Sequence, residues 1–168
     1  MEAYDGGAVR IEKIAALIRN CRRGIHDISR TEPNPAGLPR FNMPFELGLF
    51  LGARRFGAGR RRNKTCLVMD RDPYRYQSYL SDIAGQDIQA HSGDPARAIG
   101  AVRTWLASDA PGLAIPGGEE IARRYAQFSR TLTLVLLGTR LRRDEMTFAD
   151  YPSIVESWLL SDDARLAS

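Results

Sequence analysis

The residues in this chain that are best placed to do chemistry are few, and one carboxylate leads them. Glu46 is the lone acid at the start of an apolar run, Phe45 to Phe56, that is too long for a strand and fits a buried helix. A position in the first turn of a helix favours the ionised form, because the positive end of the dipole lies there. Such a fixed carboxylate can stabilise an oxocarbenium-like centre, or attack a sugar carbon, as glycosidic cleavage requires. The position also has a plainer use. With Met43 as the cap and Pro44 as the first helical residue, Glu46 bonds back to the amides of the helix start.

Around Glu46 the chain offers groups suited to a phosphorylated sugar. Asp27 and Ser29 close one apolar run, Asp70 and Asp72 close another, and Asn42 precedes the helix. Side chains of these types either hydrogen-bond ribose hydroxyls or cap local turns. Arg30, Arg40 and Arg71 either clamp a diphosphate or stand free on the surface. Tyr74 and Tyr76 either stack on a base or pack within a loop. His26 adjoins Asp27, but neighbours in a strand point to opposite faces, which argues against a dyad. His26 and His91 are the only histidines, and no Ser-His-Asp order, P-loop or metal-ligand spacing is present, so neither a metal nor a resident cofactor is expected.

These groups need elements to hold them. Ile11, Ile14, Leu17 and Ile18 recur at helical spacing after Asp5, a candidate cap; Arg19, Arg22 and Arg23 follow at the cation-favouring end, and Gly24 terminates the helix. A strand over Ile25 to Ser29 comes next, then a loop with Pro33, Pro35, Gly37 and Pro39, then the apolar helix. Thr65 to Met69 reads as a buried parallel strand and Asp87 to His91 as a short one. Asp94 and Pro95 open a helix carrying Ile99, Val102, Trp105 and Leu106. Alternation of this kind implies a parallel sheet flanked by helices, with ligands at the carboxyl ends of the strands. Pro111, Gly112, Pro116, Gly117 and Gly118 mark a linker, beyond which two helices are expected, Glu119 to about Leu141 and Phe148 to Leu160 after a Thr147 cap. The organisation expected is an α/β domain over residues 1–110 and an all-helical extension over 111–168.

Composition sets the outer limits. The 168 residues, 43% hydrophobic and 26% charged, belong to an ordinary globular chain rather than a disordered one. The net charge of +4 is mild but uneven, since Arg54, Arg55, Arg60, Arg61, Arg62 and Lys64 crowd into one stretch. Such a run can bind phosphates or nucleic acid, but is more often a solvated loop, which is the reading preferred. No aromatic residues alternate with the arginines, so nucleic acid is not an expected partner. Cys21 and Cys66 are far apart; with no signal peptide and no apolar run near about 18 residues, a cytoplasmic setting without membrane insertion is expected.

The succession of a strand ending IHDIS, a loop, N-x-x-F-E-L-G on a helix and then an apolar strand resembles the Toll/interleukin-1-receptor-like (TIR-like) domains and their nucleoside 2-deoxyribosyltransferase-like relatives. The resemblance covers roughly Ile11 to Leu106. It implies a flavodoxin-like, TIR-like sheet, with Glu46 at the family's catalytic glutamate and Asp27, Ser29 and Asn42 in the same pocket. Arg30, Arg40, Arg71 and Asp72 complete the expected substrate-binding set. The implied activity is cleavage of an N-glycosidic bond, NAD+ to nicotinamide and ADP-ribose, with NAD+ as substrate rather than cofactor. Two alternatives stand beside it: a non-catalytic nucleotide-binding or protein-interaction module, and a deoxyribosyltransferase-like hydrolase. Many proteins of this type serve bacterial defence or signalling. The family's opening strand has no counterpart ahead of the first helix. Either a shortened chain or something else filling the gap, such as a partner subunit, is therefore expected, with a homo-oligomer contact or an altered strand order making good the sheet.

Overall fold

Apolar runs alternating with helical segments fold the first part of the chain into helices packed on a small parallel sheet. The computed structural model describes residues 10–147 and 149–166. They fall into two units, one running to Gly118 and one beginning at Glu119. Asp5 and Phe148, expected at the starts of two helices, lie outside the described residues.

The first unit contains α1 (Arg10–Asn20), β1 (Arg23–Asp27), α2 (Asn42–Phe56), β2 (Thr65–Asp70), β3 (Gln89–Ala90) and α3 (Pro95–Asp109). The three strands are parallel in the order β1-β2-β3. β1 therefore pairs directly with β2, from Arg23 opposite Thr65 to Asp27 opposite Met69. The gap expected from an absent central strand does not arise within this sheet, because adjacent order closes it. The fold is mixed α/β.

The alternation of side chains along each strand gives the sheet two different faces. On one face, Ile28, Leu47, Val68 and Tyr76 form the core, with Met43, Leu51 and Cys66 packed against it. His26 points the same way and meets Phe50 of α2 edge-on, with ring centroids 5.1 Å apart. On the other face Leu67 and Met69 are buried, and α3 packs against β2. Arg23 on β1 pairs with Asp109 at the end of α3.

Two expectations near the end of α1 are corrected. Gly24 does not terminate that helix, which ends at Asn20, but lies within β1. A Cβ there would come within 2.8 Å of both His26 and Phe50, so the absence of a side chain lets α2 approach the strand. Arg19 stands in the last turn of α1 as expected, and Lys64 joins it there from the far side of α2 in sequence. The Lys64 ammonium donates to the Ile18 and Cys21 carbonyls and lies 5.1 Å from the Phe50 ring centroid. At 2% exposure Lys64 is no part of a solvated loop. The favourable field of the helix end and these two acceptors compensate its burial.

The second unit is a pair of helices, α4 (Gly118–Gly138, its first residue belonging to the first unit) and α5 (Asp150–Leu166). Phe128, Leu132 and Leu136 form its core against Tyr151, Ile154, Val155 and Trp158. Arg124, near the start of α4, bonds Asp162 at 3.1 Å near the end of α5, so the helices run antiparallel. Thr147 and Asp150 cap α5 reciprocally: the Asp150 amide donates to the Thr147 hydroxyl at 3.3 Å, and the Thr147 amide donates to the Asp150 carboxylate at 2.8 Å. α4 stops earlier than expected, because Arg140 turns left-handed (φ 55°) and the Leu141 amide closes back on the Leu136 carbonyl.

Candidate functional site

Parallel pairing brings the carboxyl ends of β1, β2 and β3 to one edge of the sheet, and a cleft of about 500 Å³ opens there. Asp27 is the last residue of β1, Arg71 follows β2, and His91 follows β3. The register explains why these side chains meet. Asp27 is level with Met69 and Met69 with Gln89, so Asp27, Gln89 and, two residues on, His91 share a face. His26 is on the opposite face, as the alternation required.

His91 is 8% exposed and fixed by the turn that follows it. Ser92 (φ 55°) and Gly93 (φ 73°) are both left-handed, which swings the Gly93 amide back to donate to His91 Nδ1 at 3.0 Å. An Nδ1 that accepts leaves the ring proton on Nε2, which faces Asp27 Oδ1 at 3.4 Å. The Ser29 amide donates to the same Oδ1 at 3.0 Å. Both contacts fall on Oδ1, which leaves Oδ2 as the oxygen able to meet an incoming group. Burial alone would raise the Asp27 carboxyl, but its hydrogen bonds from Ser29 and its contact with His91 outweigh this and hold it below the usual carboxylate range. Its side chain remains 45% exposed on the cleft side.

The walls carry charge of both signs. Arg71 is neutralised by Glu32 at 3.0 Å and Asp72 at 2.9 Å. Arg30 and Arg40 line the cleft, are exposed, and have no carboxylate partner among the described residues. Asp94 occupies the start of α3 with its own side chain, accepting from the Ala96 amide at 2.8 Å. The floor is braced from below by Arg75. Its guanidinium bonds the fully buried Asp70 carboxylate, the Ser29 carbonyl at 2.7 Å and the Thr31 hydroxyl at 3.1 Å. Tyr79 donates to Asp70 at 3.1 Å, and burial together with the Asp70 charge pushes its phenol up to about 12. Asp70, read from the sequence as a strand-end polar group open to ligand, is thus a structural group spent on Arg75 and Tyr79.

Of the residues named from the sequence, Asp27, Ser29, Arg30, Arg40 and Arg71 converge on this cleft. Asp72 acts on it only through Arg71, and Asn42 and Glu46 are not among its lining residues. Asn42 is the first residue of α2 and makes no cap; the cap position is Phe41, without a side-chain bond, and Pro44 is the third helical residue rather than the first. Glu46 is half-buried, one turn along α2, with no hydrogen bond or ion pair to any described residue. The bond back to the helix start considered for it is not made. The residues that sequence reasoning passed over are His91 and Glu32. His91 carried a usable signal, since it ends the run read as the third strand, at the carboxyl edge of the sheet to which Asp27 also belongs. Among the described residues no three His, Cys, Asp or Glu side chains gather as a metal site would require. No family model, no curated protein and no solved structure matches the chain.

Proposed function

We propose that the chain is a TIR-like nucleotide-handling enzyme that cleaves an N-glycosidic bond in this cleft, with NAD+ as the substrate to test first. The observation that carries the reading is the convergence, at the carboxyl ends of three parallel strands, of an ionised and half-exposed carboxylate with two arginines that have no carboxylate partner among the described residues. Arg30 and Arg40 offer their charge to a diphosphate. In this reading Asp27 stabilises the ribosyl cation. As the C1′–N bond breaks, its electron pair returns to the pyridinium nitrogen and nicotinamide leaves neutral; water then adds to the sugar carbon and gives up a proton. His91 touches Asp27 and not the ligand, so it is a positioning residue.

Asp27, rather than Glu46, is the carboxylate this reading sets against the sugar. Following free nicotinamide from NAD+ with the wild type, Asp27→Asn and Glu46→Gln separates the two. The expected result is turnover by the wild type and by Glu46→Gln, and a loss of about 100-fold or more in Asp27→Asn. Full turnover in a folded Asp27→Asn would remove Asp27 from the mechanism, and its loss in Glu46→Gln alone would restore the glutamate.

One observation separates the alternatives. Both ring nitrogens of His91 are engaged, so the cleft holds no free histidine to protonate a leaving base. Cationic nicotinamide needs no such proton, whereas an ordinary nucleobase does, which also sets the deoxyribosyltransferase-like alternative behind. Saturable nucleotide binding without base release would establish the binding module. Self-association is proposed through the outer edge of β1, unpaired among the described residues and carrying the exposed Ile25. Light scattering that returns a monomer at all concentrations would refute it. A place in bacterial defence and a cytoplasmic setting rest on the resemblance and the sequence.

A further inference from the structure

The arginine-rich stretch after α2 builds a surface that shares no residue with the cleft. Arg54 and Arg55 close α2, and a 3-10 turn, Gly59–Asn63, presents Arg60, Arg61 and Arg62. None of the five meets a carboxylate within ion-pair reach among the described residues. Arg62 donates to the Gly57 carbonyl at 3.1 Å. Five unpaired cations within nine residues repel one another and contribute nothing to the core. Lys64, the sixth cation of the run, is turned inward, which separates a structural charge from the five that face water.

Phe56 stands in the middle of them, 87% exposed. It is a shared wall of two grooves. One, about 310 Å³, has Arg19 and Arg61 along it; the other, about 1250 Å³, is lined by Arg54, Arg55 and Arg62 together with the acidic Asp82. Gly52 belongs to both and Gly48 to the larger, so small residues leave the α2 surface open beside the ring.

We propose that this surface binds single-stranded nucleic acid, with the arginines following the phosphates and Phe56 stacking on a base. An exposed ring flanked by cations is the arrangement that single-strand binders use, and it needs an unstacked base that a duplex does not offer. The grooves are concave and carry one exposed ring, which suits a strand laid along them better than a flat anionic bilayer. In the sequence this was the lesser reading of the run, because Phe56 precedes the arginine turn rather than alternating with it.

The test is fluorescence anisotropy of the full chain with a labelled oligothymidylate, a duplex of equal length, and vesicles containing phosphatidylserine. The oligothymidylate is expected to bind at about 50 mM salt and to weaken with a log-log salt slope of about −3, as four or five neutralised phosphates require. Phe56→Ala and Phe56→Leu should each weaken single-strand binding about 5- to 100-fold, leaving the duplex nearly unaffected. Arg60→Gln with Arg61→Gln should flatten the salt slope by about 1 to 2. Absence of binding at low salt, equal affinity of the Phe56 variants and the wild type, or tighter binding to vesicles than to the oligonucleotide would each overturn the proposal.

Discussion

Asp27 and His26 are neighbours in sequence whose environments pull their chemistry in opposite directions. Asp27 is held ionised by Ser29 and His91, while burial lowers the pKa of His26 and keeps its ring neutral. Neither ring nitrogen of His26 has a hydrogen-bond partner among the described residues. This arrangement has a pH consequence. Unfolded, His26 titrates at the ordinary value of 6.5; folded, it titrates lower. Between those two values the unfolded chain binds more protons, so the contribution of a neutral His26 is full above about 6.5 and is lost as pH falls toward the folded value. Asp27 adds a loss of the same sign below its ordinary 3.8. Urea unfolding should therefore show a lower midpoint at about pH 5.5 than at about pH 7.5, with the difference reduced in His26→Leu. A pH-independent midpoint in the wild type would contradict the assignment. At this scale the sequence showed that His26 and Asp27 face apart. It could not show that Asp27 meets His91, because that contact depends on the register of two strand pairings and spans 64 residues.

The elements hold the cleft through a few buried polar ties. Arg75 joins the loop after β1 to the end of β2 through Asp70, Ser29 and Thr31. Removing the guanidinium leaves a fully buried carboxylate without its counter-charge, so Arg75→Met should cost about 3–5 kcal/mol in chemical unfolding. The exposed Arg71 pairs with Glu32 and Asp72 in water, and Arg71→Met should be nearly silent in the same measurement. Equal effects would show that Arg75 is no brace. Elements with strong local signals were legible in the chain: Thr65–Asp70 through its continuous apolar run, and α3 through Asp94 and Pro95 at its start. The inward turn of Lys64 and the pairing of Asp70 with Arg75 were not. Each depends on which distant carbonyls or carboxylates the packing delivers, and composition and periodicity do not carry that information.

At the level of the sheet, the strands' carboxyl ends open the cleft along one edge, with the buried Asp70 carboxylate and its partner Arg75 next to it. Among the described residues the lining of the cleft falls between Asp27 and Ala98. No helix among the described residues is long and apolar enough to cross a membrane. The mixed α/β class was legible from the alternation of elements. The direct pairing of β1 with β2 was not, because alternation does not specify strand order. The proposed capture of a phosphate-bearing nucleotide by Arg30 and Arg40 is open to calorimetric titration with ADP-ribose. Saturable binding by the wild type, weakened about 10- to 100-fold when both arginines are replaced by glutamine, is the predicted result. Binding that is absent, or unchanged in a folded double variant, would contradict it.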